Sequence, residues 1–329
     1  MGPPIADAET GLLFAAYLDG RGGATSIEWA DIKKWSHEKG VMWVHLDYTR
    51  QDARKWLESE SELAPVIVES LVAEETRPRA LPIDDGLVLF LRGVNMNPGA
   101  EPHDMVSLRM YIDPHWIVTL RHRRLLALQD IRTAFETGKG PVDAGTFLSE
   151  VTDRLVDRIG DTIDEVHDQV DRTEESVLTT GSSELRGVVA GIRREVIGLR
   201  RYLAPQRDAL IRLLTEKVSW LAEPQRVHIR ELADRLTRYV EDLDAVRDRA
   251  AVTQEELNNR ISDQMNRTMY VLSIVAAIFL PLGLITGLLG INVGGIPGSN
   301  DDNAFLVVCG ILVALAIALV FFFRWQRRL

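Results

Sequence analysis

Two long apolar runs close this chain and constrain it more than any other feature. Met269–Leu289 spans 21 residues and Ala304–Phe323 spans 20, and neither holds a charged side chain. An α-helix rises 1.5 Å per residue, so about 20 apolar residues cross the ~30 Å hydrocarbon layer of a bilayer. Two such runs, adjacent and without a polar face, read as a membrane hairpin rather than as buried helices of a soluble core. Basic residues set its direction. Arg260 and Arg267 precede the first run, and Arg324, Arg327 and Arg328 follow the second. The connecting segment 290–303 has no Lys or Arg and carries Asp301 and Asp302. Both termini are expected in the cytoplasm, with a short loop outside. Residues 1–10 have neither the basic start nor the apolar stretch of a signal peptide.

The remaining residues carry nearly all the charge. With 46% hydrophobic and 26% charged residues the chain is not of the disordered class. The net charge of −10 argues against a nucleic-acid partner, which calls for a basic face. The single cysteine, Cys309, excludes an internal disulfide framework and a multi-cysteine zinc site. A Gly-rich phosphate loop, a catalytic-triad pattern and an HExxH motif are all absent from the sequence, so enzyme activity is not expected.

Residues 1–145 read as a mixed α/β domain. Strand-like runs at Leu12–Leu18, Val41–Leu46, Leu87–Val94, Val106–Ile112 and Trp116–Leu120 are rich in β-branched and aromatic residues, with helix-like stretches at Asp52–Glu60 and Pro65–Glu74. Gly138–Gly145, with Pro141, reads as a linker. From 146 to 267 the pattern turns to long helices, with Leu155, Ile159, Ile163, Val166 and Val170 at helical spacing. Breaks are expected near Thr179–Ser183 and Glu223–Pro224. From about Gln225 no Pro or Gly interrupts the chain before Pro281, which predicts one helix of more than 50 residues entering the membrane. Residues 268–329 form the membrane region: a first span at about 269–289, an outer loop at 290–303, a second span at about 304–323 and a basic tail.

Two helices enclose no interior, so a polar path across the bilayer needs several copies of the chain. A two-span receptor that anchors a cytoplasmic domain is the other architecture open to it, although no output domain is recognisable. On the first span Met269, Leu272, Ala276, Leu280, Gly283 and Gly287 fall at steps of three or four and form one stripe. A ring of such stripes would make an apolar throat inside and a wider, backbone-lined path outside, the kind of constriction that gates by dewetting. The same spacing also suits a GxxxG contact between packed helices with no pore. Pro281 frees the carbonyl of Ala277, which in a bilayer must find a partner or water, and this favours a wet path.

The first span runs into Gly287-Leu288-Leu289-Gly290-Ile291-Asn292-Val293-Gly294-Gly295-Ile296-Pro297-Gly298. Here the sequence resembles the CorA family of divalent metal ion transporters, which carries Tyr-Gly-Met-Asn at this place. Leu289-Gly290-Ile291-Asn292, followed by Val-Gly-Gly-Ile-Pro-Gly, is similar to the zinc-transporting ZntB branch of that family. Two C-terminal spans, the basic tail and Glu75-Thr76-Arg77-Pro78-Arg79 before a strand match the family as well. The resemblance implies a funnel-shaped homopentamer in the bacterial inner membrane. It implies first spans lining the pore, second spans outside, and Gly290, Ile291 and Asn292 at the outer entrance. A ring of Asn292 side chains would offer neutral oxygens to the waters of a hydrated cation, whereas a lone Asn292 also suits a helix C-cap.

Zinc sites normally use His, Cys or carboxylate at about 2.0–2.3 Å. The spans contain no His, Asp or Glu, Cys309 lies on the second span, and all seven histidines fall between His37 and His228. The ion is therefore expected to cross largely hydrated, and no carboxylate or His relay for protons exists within the spans. Zinc as the cargo rests on the resemblance, with Cd2+, Ni2+ and Co2+ as further candidates, a Mg2+/Co2+ channel as the alternative, and no cofactor expected. Acidic residues precede the first span (Glu255, Glu256, Asp263) and lie further back (Glu231, Asp234, Glu241, Asp242, Asp244, Asp248). Repeated around an axis they would concentrate cations. The resemblance makes Glu231 and Glu255 candidate regulatory metal ligands; a solvated face balanced by Arg235, Arg238, Arg247 and Arg249 is the plain alternative. Arg324, Arg327 and Arg328 serve as membrane anchors and, in a pentamer, as a basic collar around the inner mouth.

Overall fold

The computed structural model describes residues 10–36, 40–74, 76–179, 184–291 and 302–326. They form two compact units, one reaching Gln254 and one beginning at Glu255. The first unit is built on a seven-stranded sheet: β1 (Leu12–Leu18), β2 (Ala24–Ser26), β3 (Met42–Asp47), β4 (Arg79–Ile83), β5 (Gly86–Gly93), β6 (Val106–Ile112) and β7 (Trp116–Arg121). Their order is β2-β1-β3-β7-β6-β5-β4, and only β3 and β7 run parallel. The parallel pair follows from connectivity, because β3 reaches β7 only after the chain has laid down two short helices and three strands.

Helices cover both faces of the sheet. Side chains alternate across a strand, and β5 shows the consequence: Leu87, Leu89 and Leu91 enter one core while Val88 and Phe90 enter the other. The second core is closed by α2 (Gln51–Ser59) and α3 (Pro65–Val72), which bury Trp56, Leu57, Ile67, Val68 and Leu71, with the short α1 (Trp29–Ile32) adding Ile32. The first core takes Leu128 and Ile131 of α4 (Leu126–Glu136) and a long row from α5 (Ala144–Thr179). Leu155, Ile159, Ile163, Val166 and Val170 of that row are at most 2% exposed. The expected linker ends earlier than its sequence suggests. Asp143 accepts the Thr146 amide at 2.7 Å and caps α5, so Ala144 and Gly145 are helical.

Beside α5 lie α6 (Leu185–Thr215) and the long α7 (Glu223–Gly290), with 31 and 68 residues. The same core continues from the sheet along these helices through Val196, Leu210, Leu236 and Leu243 to Ala250. A helix of this length gains its stability from such packing rather than from intrinsic propensity. In the second unit α7 runs on through Pro281 to Gly290, and α8 covers Ala304–Gln326. Both carry a stretch long and apolar enough to cross a membrane, and none of either stretch is buried in the single chain.

Candidate ion pathway

The stripe of the first span sits on an open face of α7. Met269, Leu272 and Leu280 are 61%, 68% and 72% exposed, and Ala276, Gly283 and Gly287 are exposed beside them. A Cβ added to Gly283, Gly287 or Gly290 would meet nothing within 4 Å. The half-covered residues of the same helix are Ile274, Ala277, Ile278, Pro281, Leu282 and Ile285. At 3.6 residues per turn the two sets lie on opposite faces, roughly 165° apart. On α8 the half-covered residues Ala304, Val308, Leu312, Leu315, Leu319 and Phe323 also repeat every three or four positions. Each span therefore has one partly shielded face, and α7 turns the Met269–Gly287 stripe the other way.

Continued toward the start of α7 at the same spacing, this stripe passes through Met265, Ser262, Asn258 and Glu255, all exposed. Ser273 lies at its edge, roughly 40° from Met269 at 100° per residue. The spacing of three and four that marked Met269–Gly287 also reaches these polar residues, but polarity hid them from a search for apolar periodicity. Glu255 thus shares a helix face with the candidate pore residues. Glu231 is exposed on α7 as well, but in the other unit. Among the described residues no three His, Cys, Asp or Glu side chains converge on a point that would hold a metal ion.

The acids of α7 are not balanced by the arginines of their own helix in the simple way their interleaving suggests. Arg235 pairs across to Asp153 and Asp157 of α5 at 3.4 and 2.7 Å. Arg249 reaches Asp171 and Glu174 of the same helix at 2.5 and 2.6 Å. Hydrogen bonds that the Arg249 guanidinium donates to Glu174 and Asp171 hold it above its ordinary pKa. Of the α7 acids, Asp244 and Asp248 pair with Arg247, Asp244 also with Arg200, and Glu256 with Arg260. Among the described residues Glu231, Asp234, Glu241, Asp242, Glu255 and Asp263 make no ion pair. Their negative charge is available to cations in solution.

At the outer end Gly290 is the last residue of α7 and Ile291, half exposed, follows it. Asn292 and Asp301 lie outside the described residues, as do Arg327 and Arg328 of the basic tail, Glu75 of the Thr-Arg-Pro segment and His37. Arg324 is exposed in the last turn of α8, and Cys309 is half-buried. Pro281 sits inside α7 with the helix unbroken on both sides. The only bonded hydroxyl of the outer half of the span is Thr286, which donates back to the carbonyls of Leu282 and Gly283 at 3.0 and 3.1 Å among the described residues.

The chain is 36% identical over 315 residues to the zinc transport protein ZntB of Yersinia enterocolitica, covering 96% of this chain and 95% of the relative. It is 40% identical over 324 residues to the divalent cation transporter CmaX of Pseudomonas aeruginosa, covering 97% of each. The solved structure of full-length CmaX matches with a TM-score of 0.82 at 39% identity, covering 98% of this chain and 99% of that one. The CorA magnesium transporter of Methanocaldococcus jannaschii shares the fold, with a TM-score of 0.78 at 17% identity over 94% of this chain and 96% of that one. Residues 38–327 match the family described as "CorA-like Mg2+ transporter protein". Two C-terminal apolar helices behind an α/β sheet and a long helix, together with these likenesses over nearly the whole chain, make the protein a member of the CorA family.

Proposed function

We propose that this chain is the subunit of a homopentameric transporter that carries divalent metal cations, Zn2+ foremost, across the bacterial inner membrane with both termini in the cytoplasm. The observation that carries the reading is the open stripe of α7. A membrane helix whose shielded face is already used leaves Met269, Leu272, Ala276, Leu280, Gly283 and Gly287 without a partner in the single chain. Copies of the chain around an axis would turn these stripes toward one another and close a path lined by the first span. In that ring the bulky residues on the cytoplasmic side form the narrow dry section and the glycines widen the outer section.

Gly290, Ile291 and Asn292 form the outer entrance in this reading, where neutral oxygens hold the hydration shell of the arriving ion without removing it. Along the stripe below Met269, Ser262, Asn258 and Glu255 supply hydroxyl, amide and carboxylate oxygens to the same path. The unpaired acids of α7, with Glu231 and Glu255 as candidate metal ligands between copies, raise the local cation concentration on the cytoplasmic side. Arg324, Arg327 and Arg328 anchor the second span and form a basic collar. The organisation that serves this function is an α/β domain to residue 145, a helical stalk to 267 and the membrane region beyond.

Zn2+ is favoured over Mg2+ by the name of one relative, and the name of the matched family favours Mg2+. The experiment is therefore a flux comparison. Purified protein in liposomes should take up Zn2+ faster than Mg2+, and Asn292→Ala should abolish uptake while native mass measurement still finds five copies. Uptake unchanged by Asn292→Ala overturns the entrance, and a monomer or dimer that transports overturns the ring.

A further inference from the structure

We propose that the α/β unit holds a site, apart from the ion path, for a small inorganic oxyanion of the phosphate type. The site is a cavity of about 190 Å3 at the carboxyl end of the parallel pair of strands. Tyr48 directly follows β3, and His122 and Arg123 directly follow β7; all three line the cavity. In open α/β sheets ligands settle outside this end of the parallel strands. Arg92, near the end of β5, and Arg109, on β6, form the rest of its basic wall.

Two like charges set side by side are the main observation. Arg92 faces Ser107 in the β5–β6 register, so Arg109, two residues further along β6, is its diagonal neighbour on the same face of the sheet. Arg109 is 3% exposed and Arg92 is half-buried, and neither makes an ion pair among the described residues. Neutral carbonyls hold them instead. Arg92 donates to Met105 and Thr76 at 2.8 and 2.7 Å, and Arg109 donates to Leu71, Ala73 and Glu74. These bonds orient the guanidinium groups without cancelling their charge. Burial pushes the Arg109 pKa below its ordinary value, and the charges of Arg92 and Arg54 push it the same way, against the opposing pull of Tyr48. Among the described residues the Nε of both Arg92 and Arg109 is buried without a hydrogen-bond partner. Each group therefore keeps a donor for a further acceptor.

The carboxylates of the cavity do not answer this charge. Asp104 is exposed and bonds to Arg123 at 2.5 Å. Burial lowers the Arg92 pKa, and Asp104, with Tyr202, opposes that shift only through space. Glu74 is exposed and makes no ion pair among the described residues, so water and salt screen it. Three guanidinium groups thus line the cavity against two carboxylates, and the charges withdrawn from water are the positive ones. An oxyanion with two charges offers what the carbonyls do not, because guanidinium groups match its oxygens two at a time. The Ser107 hydroxyl and the His122 ring line the same cavity and can donate as well. The volume lies below the ~300–1,000 Å3 usual for organic ligands, while a water takes about 30 Å3. It suits a free tetrahedral oxyanion and leaves no room for the body of a nucleotide.

The test is calorimetric titration of the purified full-length protein, in detergent and chloride buffer, with inorganic phosphate and with AMP. Phosphate is expected to bind saturably, and AMP at least tenfold more weakly. Arg123→Ala removes one guanidinium and releases the Asp104 carboxylate, so phosphate should bind about tenfold more weakly, the usual size for one charge-assisted contact. Glu74→Gln removes a negative charge and should tighten phosphate severalfold. Arg92→Lys keeps the charge but loses the planar fork, and should again weaken phosphate about tenfold. Arg123 and Glu74 are exposed, so their variants keep the fold, with unaltered Trp fluorescence as the check, and they decide the matter if Arg92→Lys does not fold. No saturable phosphate binding, AMP binding as tight as phosphate, or either exposed variant failing to move the affinity in its stated direction would overturn the assignment. Metal flux is not the readout, so failure here is distinct from failure of the transport proposal.

Discussion

Arg109 offers the sharpest test of how the α/β unit is held together. It lies on β6, is 3% exposed and makes no ion pair among the described residues. Its Nη1 donates to the carbonyls of Leu71 and Ala73 at 2.7 and 2.5 Å, and its Nη2 donates to that of Glu74 at 3.3 Å. The guanidinium also stacks 4.2 Å above the Tyr48 ring. One side chain therefore satisfies the end of α3 and the start of the segment that leads to Thr76-Arg77-Pro78-Arg79. Arg109→Met keeps the volume and deletes the fork. The two shorter bonds dominate, and orphaning two carbonyls costs about 1–3 kcal/mol each. Relief of a buried charge, which burial already pushes below its ordinary pKa, offsets part of that loss. The net expectation is about 3 kcal/mol. For a unit of this size that is a fall of about 6–12 °C in Tm. Arg109→Lys should recover less than half, because an ammonium is a point donor and does not span three carbonyls. Thermal unfolding of the full-length protein followed by Trp fluorescence reads both variants. A Tm within about 2 °C of the parent for Arg109→Met, or full recovery by Lys, refutes the clasp.

Two other outcomes follow from the same geometry. Leu280→Ser, on the open stripe of α7, should raise ion flux severalfold by wetting the dry section, whereas Ile285→Ser on the shielded face should not; equal flux changes in liposomes would remove the stripe from the path. His45 titrates at about 3 in the folded protein against 6.5 in the unfolded chain, because burial and Arg121 disfavour its charged form. Below 6.5 the unfolded chain binds the extra proton, so stability present above 6.5 is lost as pH falls from there toward 3. His45→Gln should flatten the pH dependence of Tm just below 6.5, and an unchanged slope would show that another group carries it.

Much of this architecture was legible before any coordinates. The strands β1 and β6 fall on the segments that hydrophobic pattern marks, β7 runs one residue further, and β3 and β5 are each shifted by one residue at both ends. These strands are buried on both faces, so continuous β-branched and aromatic runs announce them. β4 is less visible, because Pro82 interrupts it; its place at the sheet edge is what makes a proline tolerable there. β2 has three residues and no pattern to read. α4 did carry a signal, with Ala127, Leu128, Ile131 and Phe135 buried at helical spacing, but it is short and follows four basic residues. The long helix through Pro281 was legible because nothing in 225–280 breaks it.

What the sequence determined by itself is whatever depends on local period and composition: two membrane-length helices, a long helix feeding the first, a sheet-forming start, and a Gly-Ile-Asn triplet at the end of the first apolar run. The tertiary structure alone decided which side chains far apart in the chain meet. Pairing of Arg235 and Arg249 with α5 leaves seven acids of α7, Glu223 among them, without an ion pair among the described residues. Arg121, Arg124 and Arg132 gather around one cavity while Arg123 turns to Asp104. The physical reason is the same in both cases. Helical and strand periods fix the direction of a side chain relative to its own backbone, but charge is compensated through space, and the partner's distance along the chain leaves no trace in either period.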